Sequence, residues 1–157
     1  MEVGVLGTRH LFDVRAVTAP PLRTSAPLGV RSTNIVREGT VEGERVRGRI
    51  APAGGDWMLV DAAGIGHVDA RFVVETDDGA VIHVGYGGRL VFHGDALARL
   101  RAGEALAESD TYFRVAPTFT ADEPYGWLNA VQAVGIGRLD PGPYGATVVH
   151  YRFLELR

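Results

Sequence analysis

The residues between His67 and Thr76 alternate in a way that gathers reactive groups on one side of a strand. In an extended chain His67, Asp69, Arg71, Val73 and Glu75 project to one face, and Val68, Ala70, Phe72, Val74 and Thr76 to the other. The first face, with two carboxylates, a guanidinium and an imidazole, has two uses. Turned to water, it belongs to an ordinary half-exposed strand with surface ion pairs. Turned into a cavity, Asp69 and Glu75 become partly desolvated bases and Arg71 polarises a ligand.

Further segments pair an aromatic ring with a polar group. Tyr112 and Arg114 alternate with Phe113 and Val115, and Trp127 and Asn129 alternate with Leu128 and Ala130. In a pocket such rings supply contact area while the arginine or amide orients a ligand; otherwise the rings fill a core and Arg114 is a surface charge. Gly54-Gly55-Asp56-Trp57 sets an acid and an indole at the entry to a strand, to line a rim or simply to cap a turn and pack the core. The candidate catalytic residues are therefore Asp69, Arg71, Glu75 and Arg114, and the candidate substrate-binding residues Trp57, Tyr112, Trp127 and Asn129.

Composition removes whole classes of reaction. The chain has no cysteine and no lysine, all sixteen of its cationic side chains being arginine. Thiolate nucleophiles, disulfides, Schiff bases and the phosphate-loop lysine are thus excluded. His10, His67, His83, His93 and His150 never fall at a spacing that places two metal ligands on one element, so a metal site would need long-range convergence and none is expected. Ser25, Ser32 and Ser109 lack a nucleophile-elbow context. Gly85-Tyr86-Gly87-Gly88 follows a strand without opening a helix, which disqualifies it as a phosphate loop and makes it read as a hairpin turn. A net charge of −3 with scattered arginines argues against nucleic acid. No apolar run is long enough to cross a bilayer, and Met1 to His10 has no basic leader or apolar region, so the expected compartment is cytoplasmic.

The elements that must hold these residues are strands. With 21 glycines and 8 prolines punctuating short β-branched or alternating runs, strands are predicted at 10–17, 31–38, 45–50, 57–61, 67–76, 80–86, 111–119, 127–138 and 146–156. One short helix is predicted near 95–102, with Asp95 at its N-cap and Gly103 after its end, and residues 18–30 form an irregular loop around Pro20-Pro21. A chain of 157 residues, 46% hydrophobic, suits one domain spanning 1–157. Many strands and almost no helix give an all-β fold, a two-sheet sandwich or a single closed antiparallel barrel of about 8–10 strands. Long strands and the corner-turning glycines of Gly135-Ile136-Gly137-Arg138 favour the barrel.

An ordered series of segments then adds to this picture: Gly54-Gly55-Asp56-Trp57, Asp69-Ala70-Arg71-Phe72 through Glu75-Thr76-Asp77-Asp78-Gly79-Ala80, Tyr112-Phe113-Arg114, Pro117-Thr118-Phe119, and Trp127-Leu128-Asn129 before Gly135-Ile136-Gly137-Arg138. The series resembles the bacterial and fungal family catalogued as domain of unknown function 3237, from roughly Phe12 to Glu155. The resemblance implies a compact β-barrel without an established general activity, whose motif residues gather around an internal cavity, with Asp69, Arg71, Arg114, Trp127 and Asn129 among them. The chain departs from the family at Tyr86-Gly87-Gly88, where an asparagine is frequent, and at Ala121-Asp122-Glu123-Pro124.

The expected activity is a cofactor-independent proton transfer on a small apolar or aromatic metabolite, leading to cyclisation, isomerisation or elimination, with no cofactor or metal. In it Asp69 or Glu75 is the base, Arg71 or Arg114 stabilises an enolate or phenolate, Tyr112 and Trp127 hold the ring and Asn129 fixes a carbonyl. The alternative is a non-catalytic barrel that carries or senses the same ligand. Neither nucleic acid nor a membrane is an expected partner, and assembly with identical copies stays open.

Overall fold

Turn chemistry divides the chain into strands. Asp61 Oδ1 accepts from the N–H groups of Ala63 and Ile65 at 2.9 and 3.0 Å, and Gly79, at φ 88°, completes the Asp77-Asp78-Gly79 turn. The computed structural model describes residues 4–157. Its strands are β1 (Thr8–Thr18), β2 (Leu22–Ala26), β3 (Gly29–Glu42), β4 (Arg47–Val60), β5 (Gly66–Thr76), β6 (Val81–Phe92), β7 (Thr111–Ala121), β8 (Ala133–Pro141) and β9 (Thr147–Leu156). A helix, α1 (Ala96–Arg101), lies between β6 and β7, with Gly103 at φ 91° beyond its end. Among the described residues no helix is long and apolar enough to cross a membrane.

All neighbours are antiparallel, in the order β1-β9-β8-β7-β6-β5-β4-β3-β2, and a further pairing of β1 with β3 closes eight strands into a barrel with β2 as an addition. The closure runs from Asp13↔Glu42 to Thr18↔Val36. Where β1 leaves the edge of β3, β2 takes it over from Leu22↔Thr33 to Ala26↔Gly29. Residues 18–30 therefore contain a strand where an irregular loop was expected, because Pro20-Pro21 interrupts one edge line without ending it. Three more boundaries differ. The two strands expected at 45–50 and 57–61 merge into the single strand β4, which absorbs Gly54 through a register shift between Ile50 and Gly54. The supposed turn Gly85–Gly88 lies inside β6, and residues 126–130 form a 3-10 turn before β8 instead of opening that strand.

An eight-stranded barrel has an interior just wide enough for side chains to fill it. Here seven rings, from Phe12, Phe72, Tyr86, Phe113, Phe119, Tyr151 and Phe153, meet inside with centroids 5.2–6.5 Å apart. Gly135 and Gly137 make room for them. A Cβ on Gly135 would stand 2.6 Å from Val115 Cγ2 and 2.8 Å from the Phe153 ring, and one on Gly137 would overlap the Phe113 ring. These glycines thus admit aromatics to the core, a reason for glycine that the expected corner did not include. Gly137→Ala is predicted to lower the unfolding free energy by about 1–3 kcal/mol through overpacking, measured by urea denaturation; an unchanged midpoint would contradict this packing.

Candidate functional site

The two ends of the barrel differ. At one, where β5 hands over to β6, Phe12, Val46, Val74, Ile82 and Leu128 are fully buried. The turn at Gly126–Ala130 crosses this end, pinned by Asn129, whose side chain accepts from the Ala121 N–H and donates to the Ala121 carbonyl, both at 2.8 Å. Beside Leu128, Trp127 sits under the Arg45 guanidinium, 4.0 Å from the ring centroid. This end is sealed.

At the other end, inward-pointing residues keep accessible surface. Asn34↔Asp56, Asp56↔Ala70 and Ala70↔Tyr86 form one row across β3, β4, β5 and β6. Directly opposed residues share a face, and Ala70 is buried, so the row looks into the barrel. Asn34, Asp56, Tyr86 and the neighbouring Met58 are only half-buried. Inner-face groups that solvent reaches define an open mouth. Ala70 contributes a single methyl between Asp56 and Tyr86, whose backbones lie about 10 Å apart, two strand spacings.

Local structure holds the acid in place. The β4–β5 ladder pairs Asp56 with Ala70 and Leu59 with His67 but skips the positions between, and the Asp69 N–H donates to Asp56 Oδ1 at 3.1 Å. Burial pushes the Asp56 carboxyl up to about 6; the Asp69 N–H works against this shift and the Asp69 charge adds to it. Tyr86 packs edge-on against Phe72 and Tyr151, at 5.9 and 5.3 Å between centroids. Burial raises both phenols. Near neutrality both phenols are thus protonated, and the Asp56 carboxyl at the mouth is poised to gain or lose its proton. Among the described residues no three His, Asp or Glu side chains converge as metal ligands.

The charged face of β5 lies outside, a correction to its expected place in the lumen. Val68, Ala70, Phe72 and Val74 take the inner face, while Asp69 and Arg71 are exposed. Glu75 is tied to Arg49 at 2.7 Å, and His67 meets Asp61 Oδ2 at 2.9 Å. The physical reason is capacity: a core filled by seven rings cannot also solvate two acids and an arginine. Arg114 and Tyr112 are outward too, the guanidinium 5.3 Å from the ring centroid and donating to the Phe113 carbonyl. Trp57 points outward at 39% exposure. Trp127 and Asn129 belong to the sealed end, where the amide bonds the Ala121 backbone. Of the expected rim motif only Asp56 reaches the mouth.

The sequence did carry the missing signals. Ile82, Val84 and Tyr86 alternate in one phase, as do Tyr151 and Phe153, so both tyrosines follow the buried face of their strands. Asp56 was hidden by the irregularity at Gly54, which resets the phase along β4.

Comparison with known proteins agrees with this architecture and adds no activity. A UPF0311 protein of Rhodopseudomonas palustris is 34% identical over 129 residues, covering 78% of this chain and 82% of the relative. One from Clostridium acetobutylicum is 29% identical over 102 residues, 64% and 65% of the two chains. Among solved structures, a conserved protein of unknown function from R. palustris superposes with a TM-score of 0.89 at 26% identity, covering 99% of this chain and 100% of that one. An enzyme from Penicillium herquei superposes with 0.67 at 19% identity, covering 98% of each, a likeness of fold alone. The model of the family described as "Protein of unknown function (DUF3237)" matches residues 7–156, and the chain belongs to that family.

Proposed function

We propose that the protein is a cofactor-independent enzyme that moves a proton on a small apolar or aromatic metabolite held in the open end of the barrel, in a cyclisation, isomerisation or elimination. One observation carries the proposal: Asp56, raised to about 6, shares an inner-face row with Tyr86, whose ring packs edge-on against that of Tyr151. A carboxylate of that basicity accepts a proton from a carbon or phenol acid near neutrality more readily than an ordinary aspartate. The phenols stay protonated and donate hydrogen bonds to the oxyanion that forms when the proton leaves, the role first assigned to Arg71 and Arg114. Asn34, opposite Asp56 on β3, supplies an amide to orient a carbonyl, and Met58 and the aromatic floor favour an apolar body. The P. herquei neighbour, described as an enzyme, is in keeping with catalysis on this fold.

A suitable probe is nitrobenzisoxazole, whose ring opens when a base removes the carbon-bound proton: the N–O bond breaks and its electron pair stays on a phenolate oxygen. The expected kcat/KM rises with pH through about 6 as Asp56 ionises. Asp56→Asn lowers it by about 10²–10⁴, whereas Asp69→Asn and Arg114→Ala, both outside, change it by less than about twofold. Saturable binding of the probe without turnover would replace the enzyme by a carrier or sensor.

Stability gives an independent check on the same proton. The folded value of Asp56 stands above its ordinary 3.8, so the protonated form favours folding. The cost of the buried charge is absent below the ordinary value and complete above about 6. Asp56→Asn removes that cost and keeps an acceptor for the Asp69 N–H. The variant's stability relative to the natural protein is expected to rise from acid to neutral pH, by up to about 2 kcal/mol after allowance for partial exposure. Thermal denaturation across this range reads it, and a parallel pair of curves would show that Asp56 is not perturbed.

A further inference from the structure

Outside the barrel, β5, β6 and β7 frame a groove of about 380 Å³. Its rows are Arg71↔Gly85↔Thr118 and Val73↔His83↔Thr120. Gly85 forms the floor, and nothing inside the chain demands glycine there. Its φ is not in the left-handed region, and a Cβ built on it would meet no atom within 4 Å. A glycine in mid-strand weakens the strand it sits in, because it contributes no packing and costs more entropy to order. What its missing side chain does provide is a gap of about 10 Å, two strand spacings, between Arg71 and Thr118.

The walls of that gap are rich in donors. Arg71 is exposed and, among the described residues, has no carboxylate within 4.0 Å. Thr118 and Thr120 bring hydroxyls, the first resting on the Gly85 carbonyl at 3.3 Å, and His83 brings an imidazole. No carboxylate lines the groove. Of the nearest acids, Glu75 is engaged by Arg49, and Asp69 stands one row away, opposite Gly87. A guanidinium free to fork onto two oxygens, beside hydroxyl and imidazole donors and over a glycine floor, is the chemistry of an oxyanion site.

We infer that this groove binds the oxyanionic group of a small molecule, a carboxylate or a phosphate monoester, laid over Gly85 with Arg71 as its bidentate partner and Thr120 and His83 as flanking donors. The site is separate from the barrel mouth, and the inference does not depend on what the mouth does.

The test is a titration of the full chain, followed by backbone amide and arginine side-chain NMR, with inorganic phosphate in one arm and benzoate in the other. Saturable shifts centred on Gly85, Arg71 and Thr118 are expected with at least one anion, and the arm that saturates identifies its source. Arg71→Ala is expected to weaken binding at least tenfold. Gly85→Val, which fills the floor, removes saturable shifts and leaves Tm unchanged or raised. Arg89→Ala, an exposed arginine outside the groove, leaves the affinity unaltered. Absence of saturation with both anions, or affinity undiminished in Arg71→Ala, overturns the inference, as does an equal loss in Arg89→Ala, which would reveal general charge attraction. Should Gly85→Val fail to fold, the comparison of the two arginine variants decides.

Discussion

Closing a sheet creates an inside that every strand must share. Once β1 pairs with β3, each of the eight strands contributes one face to the same narrow interior, and the seven aromatic rings claim most of it. That allocation decides the rest: small residues such as Gly135 and Gly137 appear where rings press on the wall, and charged faces are expelled. An acid survives on the inner face where the packing stops short, at one end, around Asp56, Asn34 and Tyr86.

The architecture was legible because it rests on local rules. Alternation at 67–76, the Asp-Gly turns, the helix near 95–102 and the all-β class all follow from period and turn chemistry. The direction of a face is a different kind of fact. Alternation tells which residues travel together and leaves open which set is inside; the family resemblance implied Asp69 and Arg71 inside, and burial went to the apolar set. Tyr86 was obscured by its glycine neighbours, which imitate a turn although they lie within a strand of twelve residues. Of those glycines, Gly88 leaves room for the Arg114 carbonyl, which a Cβ would meet at 2.2 Å, and single-chain turn statistics do not see such a contact.

The acid at the mouth shows how one irregularity is turned to use. A regular ladder would occupy the Asp69 N–H with a β4 carbonyl; with the positions between Asp56 and Leu59 skipped, the amide bonds the carboxylate instead. The bond anchors the side chain and offsets part of the penalty of burying it, so the group settles at a value where both protonation states are accessible. A carboxyl with more such donors would stay ionised in acid, and one with none would stay protonated at neutrality.

Arg45 stacked on Trp127, above a fully buried Leu128, closes the far end of the barrel. The interior is therefore a cup and not a pipe. On the proposed function, substrate and product share this one opening, so an incoming molecule waits for the outgoing one. On that reading traffic is one at a time, and a product that lingers acts as its own stopper.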